Sequence, residues 1–474
     1  MVFNSYIFIL ILLPISVVGY FGINRLGMYK FADLFLVLLS FVFVVSANWM
    51  SLLVLVFSIL FNYFMSIALL KLRFKRSILA ATIVSDVLLL LYFKYNGFFV
   101  CSASDSILLP LGISFYTFKE IASIISIYNS SSMTYGLLEY ARYISFFPSF
   151  SQGPIMECMA LNDQFNVTSR RVNYDSIGRG LFLLAIGMAK KVLLADRLAL
   201  IVNAGYRNIK ALNSISAIIV ILSYSLQIYF DFSGYSDMAV GVAKLFNIDL
   251  VWNFNSPYKS KTIDEFWDRW HISLTRFLTK YVYYPLGGSR RGRLRTLLNI
   301  MIVFLISGIW HGASITFIIW GCLHGLAKIV TKAFKLNQWI RNAVVQRMLT
   351  FIYVSLAWVF FRAGSLHDAI MLFKRLFIGG DFSVCRYLYE GFNDIIEVSI
   401  LVHLDFIGVF ERFPAIFMVS FIVILFAICF TCANSKQMVE RINFQRKNWL
   451  VVGLLLCYCM MNFSGVSQYL YWSF

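Results

Sequence analysis

Five histidines occur in the 474-residue chain, and three of them, His271, His311 and His324, fall between Asn255 and Gly325. Imidazole is the side chain that takes and gives a proton near neutral pH, so its placement decides what acid–base chemistry is open. His311 stands in Ser307-Gly308-Ile309-Trp310-His311-Gly312-Ala313-Ser314, inside an apolar run from Thr296 to Val330. An ionisable group within a bilayer costs roughly 2.5–3.5 kcal/mol on insertion scales, so one that is kept there suggests a use. Gly308 and Gly312 permit a helix break, which would set the ring in a cavity that water can reach. A base so placed can activate a hydroxyl nucleophile. The plainer alternative is a buried packing or proton-relay histidine. His271 follows an amphipathic helix that Thr262 and Glu265 open with a capping-box pattern. Its plainer reading is an interfacial ring satisfied by a carbonyl. His324 reads as a hydrogen-bonded core histidine, and His367 and His403 have no context that raises them further.

Between Lys259 and Arg295 stand nine basic residues against three acidic ones, a local charge of +6. Arg269 and Lys280 are among them, with Trp267, Trp270 and Phe266 interleaved. One reading is a loop that touches anionic lipid. The sharper one is a vestibule for a polyanionic donor such as a coenzyme A phosphate group, with the aromatic rings placed to cover an apolar or aromatic ligand. No H-x-x-H spacing or paired C-x-x-C motif supports a metal site. No G-x-S-x-G elbow supports a serine nucleophile. Cys429-x-x-Cys432 reads as packing.

The elements that must position these residues are membrane helices. Hydrophobic residues make up 60% of the chain, charged residues 14%, and the mean hydropathy is +0.76. That composition excludes an ordinary soluble domain. Long continuous apolar runs predict helices; barrel strands would alternate over about 10 residues. The net charge of +18 is scattered between apolar spans, as the positive-inside rule produces, and forms no nucleic-acid surface. Spans are expected at 1–22, 32–47, 49–70, 78–93, 108–128, 215–246, 347–361, 414–432 and 450–463, besides Thr296 to Val330. The first reads as a membrane helix, with no cleavage site obvious. The basic cluster Lys71 to Arg76 places the loop Tyr95 to Ser106 outside. Lys119 and Glu120, inside the fifth span, should face protein or a cavity. Phe146-Phe147-Pro148 and Gly153-Pro154 predict a broken or re-entrant helix. Gly178 to Ile201 carries Lys190, Lys191, Asp196 and Arg197 and reads as an interfacial or partly inserted helix. Asp231 and Asp237 are two carboxylates in apolar surroundings. The fold class is therefore all-α and polytopic, with about 11 transmembrane helices plus re-entrant or interfacial ones, in a single membrane-embedded domain over residues 1–474.

The motifs resemble the membrane-bound O-acyltransferase family, in its bacterial branch that O-acetylates polysaccharides. The resemblance rests on Leu109-Pro110-Leu111-Gly112-Ile113-Ser114-Phe115-Tyr116-Thr117-Phe118, Phe146-Phe147-Pro148 and Gly153-Pro154-Ile155. It continues through Asp231-Phe232-Ser233-Gly234-Tyr235-Ser236-Asp237-Met238-Ala239, Asn253 to Tyr258, Phe266 to Leu274, Tyr283 to Gly288 and Ser307 to Gly312. It covers about residues 108–363. Phe277-Leu278-Thr279-Lys280-Tyr281 departs from the branch's W-L-R-D-Y, and Ser151-Gln152 replaces a more apolar pair.

The resemblance implies a fold with a central funnel. It implies that His311 is the essential membrane-embedded histidine and His271 the second, less uniformly required one. Arg269, Trp267, Trp270 and Lys280 become candidates for the donor side. Asp237, Asn255 and Trp310 stand inside the shared motifs and are further candidates. The implied reaction moves an acetyl group from cytosolic acetyl-CoA, a substrate rather than a bound cofactor. The acceptor is a hydroxyl of an exported polysaccharide, alginate-like or peptidoglycan, or an extracytoplasmic SGNH-type, esterase-like partner. The expected location is the bacterial inner or plasma membrane. Two rival readings are D-alanyl export to teichoic acid and a non-enzymatic transporter; the latter predicts paired half-repeats, which the chain does not show.

Overall fold

The computed structural model describes residues 2–99, 109–165, 170–334, 340–377, 379, 383–403, 412–443, 446–463 and 470. Among them every regular element is a helix. Seven helices are long and apolar enough to cross a membrane, or eight if the bent pair Ile416–Thr431 and Ser435–Arg441 forms one broken span. This is fewer than the expected figure of about 11. The helices Tyr29–Val45 (17 residues) and Arg446–Met461 (16 residues) fall short of the ~20 residues a bilayer takes. Leu108 and most of the expected external loop up to Ser106 lie outside the described residues.

The chain forms two compact units. The first comprises Met1–Met188, Tyr235–Asn253 and Val439–Phe463. It opens with α1 (Leu13–Arg25), α2 (Tyr29–Val45), α3 (Trp49–Lys71) and α4 (Lys75–Phe99), joined by short turns. Next come α5 (Ile113–Ser130), α6 (Leu137–Ser145), the short α7 (Cys158–Asn162) and α8 (Tyr174–Met188). Several ionisable residues in this unit are turned inward and find partners there. Lys119 donates to Ser149 Oγ at 3.0 Å, and Ser58 Oγ donates to Glu120 at 2.8 Å. Asp33 on α2 holds Arg142 at 2.7 Å and Arg170 at 3.0 Å. Buried polar groups need hydrogen-bond partners, and the two serines supply them to Lys119 and Glu120 on α5. The helix break expected near Phe146 is present: α6 stops at Ser145 and a 3-10 turn covers Phe147–Ser149.

The second unit comprises Ala189–Gly234, Phe254–Met438 and Ser464–Phe474. A π-helical stretch, Ala189–Ala195, leads into α9 (Asp196–Arg207). The long α10 (Ser214–Lys244) follows. Two short helices, α11 (Ile263–Arg269) and α12 (Ile272–Leu278), precede the hairpin of α13 (Arg293–His311) and α14 (Ile315–Phe334). A further span is α15 (Ala343–Arg362).

The α13–α14 hairpin has a definite packing cause. A Cβ on Gly308 would lie 2.5 Å from the Phe317 carbonyl oxygen, and one on Gly321 would lie 2.4 Å from that of Phe304. Small residues let two membrane helices approach backbone to backbone. Gly321→Leu is expected to force the helices apart, at a cost of at least about 1–3 kcal/mol. The check is the yield of monodisperse protein on size exclusion. A yield equal to the parent's would mean that the contact does not govern assembly.

Candidate active site

His311 is the last residue of α13, and Gly312 closes that helix with its N–H donating to the Gly308 carbonyl. The apolar run read as one stretch is therefore two helices, and His311 stands at their turn. The break expected from the flanking glycines is found, but its consequence differs. The imidazole is only 3% exposed. Trp310, Trp320, Phe361 and Phe317 surround it, with ring centroids at 4.8, 5.0, 5.0 and 6.4 Å. The ring is enclosed by aromatic side chains rather than standing open to water.

Three of these walls come from other helices, and Phe361 from one fifty residues along the chain. Phe317 and Trp320 are on α14, and Phe361 is on α15. Trp320 also lies 5.7 Å from Trp267 and 5.0 Å from His324. Trp267 Nε1 donates to His324 Nδ1 at 3.3 Å. His324 is thus the hydrogen-bonded core histidine that its context suggested. One aromatic cluster brings together Trp310, His311, Trp267 and His324.

His271 is held differently. Thr262 caps α11 by accepting from the Glu265 N–H at 3.1 Å, while the Glu265 carboxylate accepts from the Lys261 N–H at 2.7 Å. The capping pair is real, with its return bond displaced by one residue. The helix ends at Arg269, and the chain turns sharply at His271, whose φ of 44° and ψ of 52° are left-handed. Such a backbone is uncommon for a residue with a Cβ and is retained where surroundings impose it. The turn lays the His271 ring edge-on to Phe232 at 4.7 Å. Burial pushes its pKa down to about 3, so the ring is neutral at ordinary pH.

The remaining candidates separate. Arg269 pairs with Glu265 at 2.7 Å and donates to the Asn255 carbonyl at 3.2 Å. Asn255 Oδ1 in turn accepts from Asn434 at 2.9 Å. Trp270 is buried against Phe254 and Trp358, both at 5.0 Å. Lys280 is exposed beside the Tyr281 ring. Asp237 is buried and belongs to the first unit. Of the basic stretch, Arg276, Arg290, Arg291, Arg293 and Arg295 are all exposed.

A cavity of about 340 Å³ does lie beside the aromatic cluster. Trp267, Phe304 and Ser307 line one part of it, and Asp264, Asp268, Lys328 and Lys332 another. Ser307 precedes His311 by four residues, one helical turn along the same face. Lys328 pairs with Asp264 at 3.2 Å. The two lysines were missed in the sequence, although a signal existed. Trp320, His324, Lys328 and Lys332 recur every fourth residue and so form one stripe of α14. Arg293 donates to the Ala333 carbonyl, so the lysine end of α14 meets the start of α13. Ser307 then lies roughly 20 Å further along the hairpin, at 1.5 Å per residue.

Lys191 forms the other buried polar centre of this unit. It lies 2.6 Å from Asp231 and 2.9 Å from Asp196. The second oxygen of Asp231 accepts from the Leu470 N–H at 2.9 Å. Lys190 reaches Ser435, and Arg197 reaches Glu397. The stretch read as an interfacial helix thus turns two of its charges, Lys191 and Asp196, into the protein interior.

An aromatic-walled histidine at a membrane-helix turn, one turn from a cavity, is the setting in which the comparisons fall. The pattern of the membrane-bound O-acyltransferase family matches residues 36–373, and the chain belongs to that family. It is a multi-pass membrane acyltransferase. Over its whole length it is 34% identical to a peptidoglycan O-acetyltransferase of Helicobacter pylori, covering 98% of that protein. It is 35% identical to a probable alginate O-acetylase of Pseudomonas aeruginosa, over 80% of this chain and 75% of the other. A teichoic acid D-alanyltransferase of Streptococcus thermophilus is 26% identical over 51% of this chain and 60% of the other.

Proposed function

We propose that the protein transfers an acetyl group from cytosolic acetyl-CoA to a hydroxyl on the far side of a bacterial plasma membrane. The acceptor is an exported polysaccharide, peptidoglycan or alginate-like, or an extracytoplasmic SGNH-type partner that completes the transfer. The observation that carries the reading is the cavity that α11 and α12 form with the α13–α14 hairpin. It runs from Lys328 and Lys332 toward Ser307, one turn from His311. The lysines suit the phosphate-bearing end of the donor, and Trp267 flanks the thioester arm. The rings around His311 give way to the acceptor, and His311 removes the acceptor's hydroxyl proton as the hydroxyl oxygen attacks the thioester carbonyl. The C–S bond breaks, and the proton passes to the departing thiolate. His271, neutral and fixed by its turn, supports the acceptor side. Arg269 and Asn255 set that turn, and Trp270 packs behind it. Lys280 and Asp237 take no part in this route.

Turnover by purified protein with labelled acetyl-CoA and a peptidoglycan or alginate fragment tests this, with the released acyl group identified by mass spectrometry. Recovery of D-alanine instead of acetate would move the protein to the teichoic-acid reading. Within the same assay, Ser307→Trp is expected to lower turnover about 10²-fold, since misplacing a reactant by about 1 Å already costs that much. Unchanged turnover in Ser307→Trp would remove the cavity from the route.

A further inference from the structure

A second cavity, about 520 Å³ in volume, lies in the second unit along α14 and α15. We propose that it is a binding site for one anionic phospholipid, independent of the acyl-transfer reading. Leu323, Ala327, Ile340 and Leu349 are among its lining residues. Its inner polar groups are already satisfied within the protein. The Tyr353 hydroxyl donates to the Leu323 carbonyl at 2.7 Å, and Thr350 Oγ1 donates to the Lys261 carbonyl at 2.9 Å. Thr262 Oγ1 accepts from Glu265. Gln346 donates to the Ile340 carbonyl, and apart from Thr331 and Lys261 the rest of the lining is hydrocarbon, which suits an acyl chain.

The rim supplies the other half of the chemistry. Lys261 lines the cavity, and Arg341 and Arg347 adjoin its lining residues Ile340 and Gln346. All three are exposed. Among the described residues no carboxylate lines this cavity, and the nearby Glu265 and Asp264 are held by Arg269 and Lys328. Leu326 and Leu349 are each about half exposed on the same lining, as a surface facing lipid tails would be. A lysine on the lining of a greasy groove between membrane helices, with two exposed arginines next to lining residues in the chain, matches a phosphate headgroup above its acyl chains. The same α14 carries Trp320 and His324 on another stripe, so an occupied groove braces the helix that walls His311.

Full-length protein in detergent, titrated with phosphatidylglycerol or phosphatidylcholine of equal chain length, decides this by native mass spectrometry. Phosphatidylglycerol is expected to be retained in preference. Lys261→Gln, Arg341→Gln and Arg347→Gln should each weaken its retention about fivefold, with phosphatidylcholine unaffected. Ala327→Trp, which fills the groove, should release both lipids. Equal retention of the two lipids by the parent protein, or charge variants that retain phosphatidylglycerol as the parent does, would overturn the site. So would a lipid-free dimer, which would give the groove to a second copy of the chain. The charge variants lie on the surface and decide the question even where the groove-filling variant fails to fold.

Discussion

His311→Ala is expected to lower acetyl transfer by about 10²–10⁴-fold, the usual contribution of a positioned acid–base group. The loss should fall on kcat, because the ring acts on the proton in flight rather than on donor binding. The surroundings predict little loss of fold. The pocket is walled by Trp310, Phe317, Trp320 and Phe361, and these rings also pack on one another, as Trp320 does on Phe361 at 5.3 Å. His311→Gln keeps volume and polarity and lacks a proton acceptor of comparable basicity, so it should be as inactive as alanine. Cells expressing either variant would be assayed for O-acetyl groups on their exported glycan, with membrane insertion measured alongside. O-acetylation at the parent level in inserted protein would exclude the ring from the reaction.

Lys191→Met carries the largest expected effect on stability. Lys191 is 1% exposed and lies between Asp231 and Asp196. Removing the ammonium leaves two buried carboxylates facing each other, and breaking a buried pair in this way costs about 3–5 kcal/mol. Folded protein should be lost from the membrane fraction. The triple variant Lys191→Met, Asp196→Asn, Asp231→Asn removes the whole charge set, which is often close to neutral, and should restore folding. If the triple variant is as unstable as the single one, uncompensated charge is not the cause. The pH dependence follows from the lysine. Burial alone would lower its pKa, but Asp231 and Asp196 outweigh burial and hold it above the ordinary 10.5. A raised lysine pKa contributes stability that is complete below the unfolded value and is lost as pH rises through the folded one. Thermal midpoints attributable to this triad should therefore stay level from neutrality to about pH 10 and fall only above it.

How far the site could be read from the chain depends on the range of the interactions. His311 was legible because an ionisable residue in an apolar run is costly, and its glycine neighbours mark a break. The start of α11 was legible because Thr262 and Glu265 act within one turn. Lys119 and Glu120 were legible as inward-facing because a lipid-facing pair would be left without partners.

What lay beyond the sequence was everything that joins distant segments. Nothing near His311 in the chain announces that Phe361, fifty residues on, is one of its walls. The glycines foretold a break, yet the enclosure of the ring by α14 and α15 depends on backbone approach at Gly308 and Gly321. The basic run looked like one vestibule because charge adds along a sequence. In three dimensions five of its arginines are exposed, and the cavity beside the aromatic cluster takes its lysines from α14. The amino-acid order by itself determined the membrane class, the start of α11 and the placing of His311 at a break in an apolar run, since these follow from local burial costs and capping. Tertiary packing alone decided which rings enclose that histidine and which cations reach the cavity, because side-chain direction around a helix acquires meaning only when a second helix is laid against it.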